Sequence, residues 1–178
     1  NATAKDVTIA DAKNGVVLGN ITATGNTSVT SNGGAITQAL NGEALVLSGT
    51  TTLNAKDGEN AADVTLNGTK NTLTGVVSAT GSAVTISAQG AMTAAVTAAE
   101  ATLSATGNLG VSGTITKGLT TTTTGENSTT TFGTTSVGTD LSVTSTGKVA
   151  QLDDKATLSV GNKATVTATG QDVSLANT

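Results

Sequence analysis

Apolar and polar residues alternate in short stretches along this chain, and the stretches return at a nearly regular interval. The segment from Thr165 to Thr169 is a clear example, because Val166 and Ala168 alternate with three threonines. Successive side chains of a β-strand point to opposite faces, so a strand here would carry its apolar pair on one face and its threonines on the other. Glycine and asparagine separate the stretches, which indicates tight corners between short strands.

The recurrence of these strands predicts a β-solenoid. Leu141-Ser-Val returns as Leu158-Ser-Val, and Leu175 follows at the same spacing. Short strands that recur in this way, separated by glycine corners, are typical of chains that stack one coil on the next. We therefore expect an all-β fold, a parallel β-helix of about nine coils of 17–20 residues, formed as a single solenoid over residues 1–178. Three further matches support the period: Leu45 with Val64, Val64 with Val84, and Val76 with Val96.

Two parts of the chain fit the repeat less well. Thr120 to Thr124 is an unbroken threonine run with few inward apolar residues before Phe132, so we expect an irregular coil near residues 119–135. The alanine-rich segment from Ala91 to Ala101 could form a helical turn, but it lacks flanking helix caps, which favours a coil of small residues. An antiparallel sandwich would also contain short strands and turns, and it is the alternative fold.

The composition favours a thin, repeated core over one large core. Charged residues make up 11% of the chain and aromatic residues 1%, and there is no proline, cysteine or histidine. Valine, leucine, isoleucine and alanine must therefore supply the buried surface, a few per coil. Disorder is the competing interpretation of so much Thr, Ser, Asn and Gly, but the alternating spacing of Val, Ile and Leu is not typical of linkers.

Several segments resemble the repeats of filamentous haemagglutinins, which are large secreted bacterial adhesins. The resemblance is carried by Gly25-Asn26-Thr27-Ser28-Val29-Thr30-Ser31-Asn32-Gly33-Gly34-Ala35-Ile36-Thr37-Gln38 and by Leu103-Ser104-Ala105-Thr106-Gly107-Asn108-Leu109-Gly110-Val111. It implies a right-handed parallel β-helix and exposure at the cell surface. It does not imply a receptor, and we do not expect the N-terminal secretion domain of that family within these 178 residues.

The residue inventory disfavours an enzyme. Without histidine or cysteine, neither a Ser–His nor a Cys–His nucleophile can be assembled. The adjacent acidic pair is Asp153-Asp154, which neighbouring strand positions would point to opposite faces and which we interpret as a solvated corner. We expect no cofactor. The net charge of −4, without a basic stripe, excludes nucleic acid as a predicted partner, and no apolar run is long enough for a transmembrane segment.

Calcium is the one metal that the sequence suggests. Asp57, Glu59 and Asp63 lie within one short polar segment and offer the oxygen ligands that calcium prefers. The Gly-Gly-x-Gly-x-Asp repeat of calcium β-rolls is absent, since Gly33-Gly34 continues into Ala35-Ile36. A solvated loop is therefore the competing interpretation of this segment.

Threonine pairs raise the question of a binding face. The Thr-x-Thr units at Thr22/Thr24, Thr114/Thr116 and Thr165/Thr167/Thr169 resemble those of ice-binding solenoids. An ice-binding face needs a regular array on one side of the solenoid. The units are separated by irregular distances, so we interpret them as ordinary outward strand positions.

Taken together, these features predict a structural protein of the cell exterior. We expect a subunit or shaft segment of an extracellular filament or adhesin that self-associates by end-to-end stacking of coils, because each end of a solenoid exposes unpaired strand edges. If the chain is an excerpt of a giant adhesin, neighbouring repeats would cover those edges instead. The alternative function is a surface module that binds a glycan or ice. The sequence names no receptor.

Overall fold

The computed structural model describes residues 2–39, 44–169 and 171–175, and within them the chain forms 24 β-strands and no helix. Most strands are short, and corners that contain glycine, asparagine or aspartate follow many of them. The strands are β1 (Ala2–Ala4), β2 (Val7–Asp11), β3 (Val16–Leu18), β4 (Ile21–Ala23), β5 (Thr27–Ser31), β6 (Gly33–Gly34), β7 (Ile36–Gln38), β8 (Leu45–Leu47), β9 (Thr51–Asp57), β10 (Asn60–Ala61), β11 (Val64–Leu66), β12 (Thr72–Leu73), β13 (Val76–Thr80), β14 (Ala83–Ala88), β15 (Met92–Ala98), β16 (Glu100–Ala105), β17 (Leu109–Ile115), β18 (Leu119–Thr123), β19 (Thr130–Val137), β20 (Leu141–Ser145), β21 (Val149–Gln151), β22 (Leu158–Val160), β23 (Ala164–Ala168) and β24 (Val173–Ser174).

The strands stack into a parallel β-solenoid with up to three faces. Sheet A holds β1, β4, β8 and β12, sheet B runs from β2 through β5, β9, β13, β15, β17 and β19 to β21 and β24, and sheet C runs from β3 through β7, β11, β14, β16, β18 and β20 to β23. Neighbours within each of these rows pair in parallel, as in β14 with β16 and β15 with β17. The predicted fold class is thereby confirmed, and the antiparallel sandwich is excluded.

Eight coils contribute strands to sheets B and C, and β24 begins a further one. Sheet A ends at β12, so the first four coils have three faces, whereas β14 of the fourth coil leads directly into β15 of the fifth without a sheet A strand between them. Losing a face shortens the coil. Val77 stacks on Thr51 of the coil before it and on Ala94 of the coil after it. The number of residues from Val77 to Ala94 is much smaller than the number from Thr51 to Val77. The coil length therefore varies more widely than the repeat matches predict.

The stacking corrects most of the repeat matches that defined the expected period. The match of Val64 with Val84 is right, since these residues are paired in sheet C. The match of Leu141 with Leu158 is wrong, because Leu141 pairs with Ala164 and Leu158 pairs with Thr135 in sheet B. The two remaining matches are also wrong: Leu45 pairs with Ile21, and Val76 pairs with Thr93.

Inward side chains form columns that run the length of the core. In sheet B, Val77, Ala94, Val111 and Phe132 lie above one another, and each is at most 2% exposed. Phe132 lies between Val111 of the coil before it and Gln151 of the coil after it. Burial of each inward side chain adds roughly 25 cal/mol per Å² of apolar surface, and the core is the sum of many small contributions.

One part of the core is polar. Thr123 Oγ1 lies 2.7 Å from Ser145 Oγ and 3.3 Å from Thr130 Oγ1, and Ser145 Oγ donates to the Ser128 carbonyl oxygen over 3.2 Å. All four residues are buried. Buried hydroxyls cost free energy unless they are paired, so this network satisfies the hydroxyls that an otherwise apolar core would leave without partners.

A pair of buried side-chain amides, Gln38 and Asn71, joins two of the three-faced coils by hydrogen bonds. Gln38 Nε2 donates to Asn71 Oδ1 and Asn71 Nδ2 donates to Gln38 Oε1, both over 2.8 Å. Backbone amides join the pair, since the Leu45 N–H donates to Asn71 Oδ1 and the Gly68 N–H to Gln38 Oε1, both over 3.0 Å. The backbone at Leu45 and at Gly68 is thereby tied to the core.

The region expected to be irregular, near residues 119–135, contains two regular strands. Residues 119–123 form β18, which pairs in continuous register with β16 and β20. The departures from regularity are the corner at residues 124–129 and a bulge in β19, where Gly133 and Thr134 both lie opposite Ser112 of β17. Gly113 has a φ of +118°, a conformation open mainly to glycine.

Candidate binding surface

The outer face of sheet C carries an ordered set of hydroxyl groups. On β14, β16, β18, β20 and β23 two successive outward positions of each strand form straight ranks, and every residue in these two ranks is Ser or Thr. The first rank is Thr85, Thr102, Thr120, Ser142 and Thr165, and the second is Ser87, Ser104, Thr122, Thr144 and Thr167. We refer to these ten residues as the hydroxyl array.

The array follows from local strand chemistry. On each of its strands, the residue directly before the first rank is a Val, Ala or Leu on the inward face. Because side chains of a strand alternate between its two faces, every second residue after it points outward. Threonine is β-branched and favours strands, so it suits an outward position in a long ladder. The register from β14 to β23 has no shift, unlike that of sheet B at the bulge. The ranks are therefore straight.

The hydroxyls of the array are accessible and make no hydrogen bonds to the described part of the protein. Six of the ten residues are exposed and the other four are half-buried. None of their hydroxyls has a hydrogen-bond partner within the part of the chain that the structure describes. A third rank borders the array at Thr106, Thr124, Thr146 and Thr169, but two of its members bond to corners: Thr106 Oγ1 accepts from the Gly90 N–H, and Thr146 Oγ1 donates to the Gly125 carbonyl.

Charges lie beside the array and not within it. Glu100, the first residue of β16, forms an exposed ion pair of 3.7 Å with Lys117, which lies at the corner before β18. Asp140 lies at the same corner one coil further on, where its Oδ1 accepts from Asn162 Nδ2 over 2.7 Å. The array itself presents hydroxyl and methyl groups alone.

Aspartate carboxylates accept hydrogen bonds from backbone N–H groups at several other corners. The Asp11 carboxylate accepts backbone N–H groups from Lys13, Asn14 and Gly15 at 3.1, 2.9 and 2.9 Å. These bonds, that from Asn14 above all, stabilise the charged form and hold the pKa of Asp11 below its ordinary value. Asp153 of the adjacent acidic pair behaves similarly, since its Oδ1 accepts from the N–H groups of Lys155 and Ala156. It lies at a corner, as the sequence predicts.

The calcium candidates lie on and beside a hairpin that projects from the third coil. Asp57 ends β9 and pairs with Asn60 of β10, and Glu59 lies in the turn between them. Asp63 follows the hairpin, and its Oδ1 accepts from the Ala83 N–H over 3.1 Å. No three acidic, His or Cys residues are arranged to hold a metal ion among the described residues. A calcium site here remains a prediction that the fold does not strengthen.

Phe132 and the Thr-x-Thr units of the sequence lie in different parts of the fold. Phe132, the one aromatic residue, is fully buried and cannot meet a ligand. Of the Thr-x-Thr units, Thr165 and Thr167 belong to the array, whereas Thr22 is on sheet A and Thr114 is on sheet B. The regular face was missed because its strands recur at unequal intervals along the chain. A search for Ala or Leu followed by alternating Ser/Thr would have found four of its five strands.

Comparison with known proteins identifies a repeat family. The family model described as repeats of unknown function (DUF5649) matches residues 4–80 and 118–178. The residues between these ranges include the coils with the shortest spacing. No curated protein and no solved structure matches the chain. Over the described residues, no helix is present that could cross a membrane.

Proposed function

We propose, from the premise that this chain belongs to the family of repeats of unknown function (DUF5649), that it is a structural shaft. In this proposal the solenoid is a subunit or segment of an extracellular filament or adhesin, and it lengthens by stacking coil on coil. The observation that carries the proposal is the backbone hydrogen-bond ladder, in which strands of successive coils pair in parallel. At each end of the described solenoid the last strands are edge strands, paired with a neighbour on one side only.

Strand β2 of the first coil is one of these edge strands. In β2 the Val7 N–H donates to the Asn26 carbonyl, and the Asp11 carbonyl accepts from the Asn32 N–H, so these residues face β5. Residues of a parallel strand alternate between their two neighbours, so the N–H of Thr8 faces away from β5, toward the open edge. Such an edge is a template for another strand, whether from further coils of the same polypeptide or from a second copy.

The extracellular location rests on the resemblance of the repeats to those of filamentous haemagglutinins. Antibody labelling of intact cells of the source organism tests it, and we expect surface staining. Labelling that appears only after the cells are permeabilised would contradict an extracellular shaft.

Assembly can be tested with the 178-residue chain by native mass spectrometry and electron microscopy over a dilution series. We expect rods whose length increases with protein concentration. Thr8→Pro should shorten them, because proline removes the N–H at the open edge without removing a bond to β5. Thr8→Ala is the matched control, since it also loses the threonine side chain but keeps the N–H.

A monodisperse monomer at every concentration would overturn end-to-end stacking of this chain. Equal assembly of the Thr8→Pro and Thr8→Ala proteins would likewise exclude this strand edge as the contact.

A further inference from the structure

We propose that the hydroxyl array on sheet C is a binding site for ice. This function goes beyond the shaft and does not depend on it, because the array lies on a side of the solenoid and the stacking edges lie at its ends. The inference rests on the lattice that the ten residues form, on their unpartnered hydroxyls and on the lack of charge among them.

The array repeats in two directions. Neighbouring strands are about 4.8 Å apart, and alternate residues of one strand are roughly 6.6 Å apart. These repeats are of the same order as those between oxygen atoms on faces of hexagonal ice. Five strands in unbroken register align these positions from coil to coil over the whole array.

A lattice is what distinguishes ice from liquid water as a ligand. One exposed hydroxyl gains almost nothing from binding ice, because it exchanges a bond to bulk water for a bond to lattice water. Ten hydroxyls at fixed positions can engage ordered water molecules together, and the ladder has already fixed their backbones. The threonine methyl groups between them lose contact with liquid water when ice covers the face, which adds a hydrophobic contribution.

The chemistry of the face favours ice over a polysaccharide. Sugar rings commonly stack on aromatic side chains, but no array position is aromatic and Phe132 is buried. A charged side chain would hold its own hydration shell and disturb a lattice, and the nearest charges border the first rank without entering it, at Glu100, at the start of β16, and at the corner residues Lys117, Asp140 and Lys163. The face therefore presents hydroxyl and methyl groups in a repeating order and little else.

Partition into slowly growing polycrystalline ice tests the proposal, with the 178-residue chain and a non-binding marker protein in one solution. We expect several-fold enrichment of the chain over the marker in the ice. Thr102→Lys combined with Thr120→Lys should reduce this to the marker's level. These two exposed residues are first-rank neighbours on the fifth and sixth coils.

The same coils supply a matched control. Thr97 and Thr114 are exposed neighbours on sheet B, so Thr97→Lys with Thr114→Lys adds the same charge pair to the other face. This control should enter ice like the unmodified chain. Circular dichroism melts should be similar for both variants, and neither pair of changes should alter filament length.

Three results would overturn the proposal. The unmodified chain could be excluded from ice like the marker, or the control could lose as much enrichment as the array variant. The chain could also bind crystalline cellulose or chitin through the array while being excluded from ice, which would assign the face to a polysaccharide.

Discussion

At the scale of the residue, this fold depends on which hydroxyls are satisfied. Outward hydroxyls meet water at no cost, whereas each inward hydroxyl needs a partner in the core. The inward face of strand β18 contains one buried hydroxyl with hydrogen-bond partners and one without. Thr123 shares hydrogen bonds with Ser145 and Thr130, while the equally buried Thr121 Oγ1 has no partner among the described residues.

We predict opposite effects of the same substitution at these two positions. Thr121→Val should raise the free energy of unfolding by about 1 kcal/mol, because it removes an unpaired hydroxyl from a column shared with Leu103 and Val143. Thr123→Val should lower it by about 1–2 kcal/mol, because its partners lose their bonds. Urea denaturation followed by circular dichroism measures both. Destabilisation of similar size in the two variants would refute this account of the polar core.

At the scale of the element, the sequence predicts strands better than it predicts their stacking. The alternation at Val64–Leu66 and at Val84–Ile86 determines which side chains face inward, and these strands pair as expected. The pairing of Leu141 with Ala164 was not foreseeable, because identical Leu-Ser-Val strands can belong to different sheets. Corners hold different numbers of residues, and no local pattern shows where they end.

The candidate surface was hidden for the same physical reason. An array requires the register of several strands at once, and register depends on the corner lengths between them. The units around Thr165 and Thr167 are visible in the sequence, but Thr120 and Ser142 align with them only through the longer coils that join β18, β20 and β23.

Gly113 is the residue on which the register of sheet B at the bulge depends. We predict that Gly113→Ala lowers the free energy of unfolding by more than about 2 kcal/mol, because a Cβ there would collide with the Val96 carbonyl oxygen and the φ of +118° is strained. Gly118→Ala is the control, since its Cβ would meet only the Asp140 carbonyl oxygen at 3.7 Å. It should be neutral or up to about 1 kcal/mol more stable. Thermal melts that shift equally would show that the bulge does not need glycine.

At the scale of the whole molecule, the chain is almost free of groups that titrate near neutral pH. It contains no histidine and no cysteine, the side chains whose reference pKa values lie closest to neutral pH. Acid should act through carboxylates such as Asp11. Since its folded-state pKa is lowered, Asp11 contributes stability above its unfolded-state pKa of about 3.9, and this contribution is lost as the pH falls through the lower, folded-state value.

We predict a melting temperature that is constant from about pH 5.5 to 7.5 and falls below about pH 4. Asp11→Asn should reduce the acid-induced part of the fall, because the variant has no carboxylate to protonate at this corner. Calorimetry at a series of pH values measures both curves. An unchanged acid profile in the Asp11→Asn protein would show that this corner does not contribute to the pH dependence.

The parallel ladders also give the molecule an unusual response to mechanical force. Backbone hydrogen bonds between coils lie along the solenoid axis, so tension applied along that axis loads the bonds of one coil at a time. A coil of about 20 residues would release roughly 70 Å of extended chain as it peels away. A pulled shaft of this kind would yield in small, successive steps and dissipate energy with each one, while the coils beyond the break kept their structure.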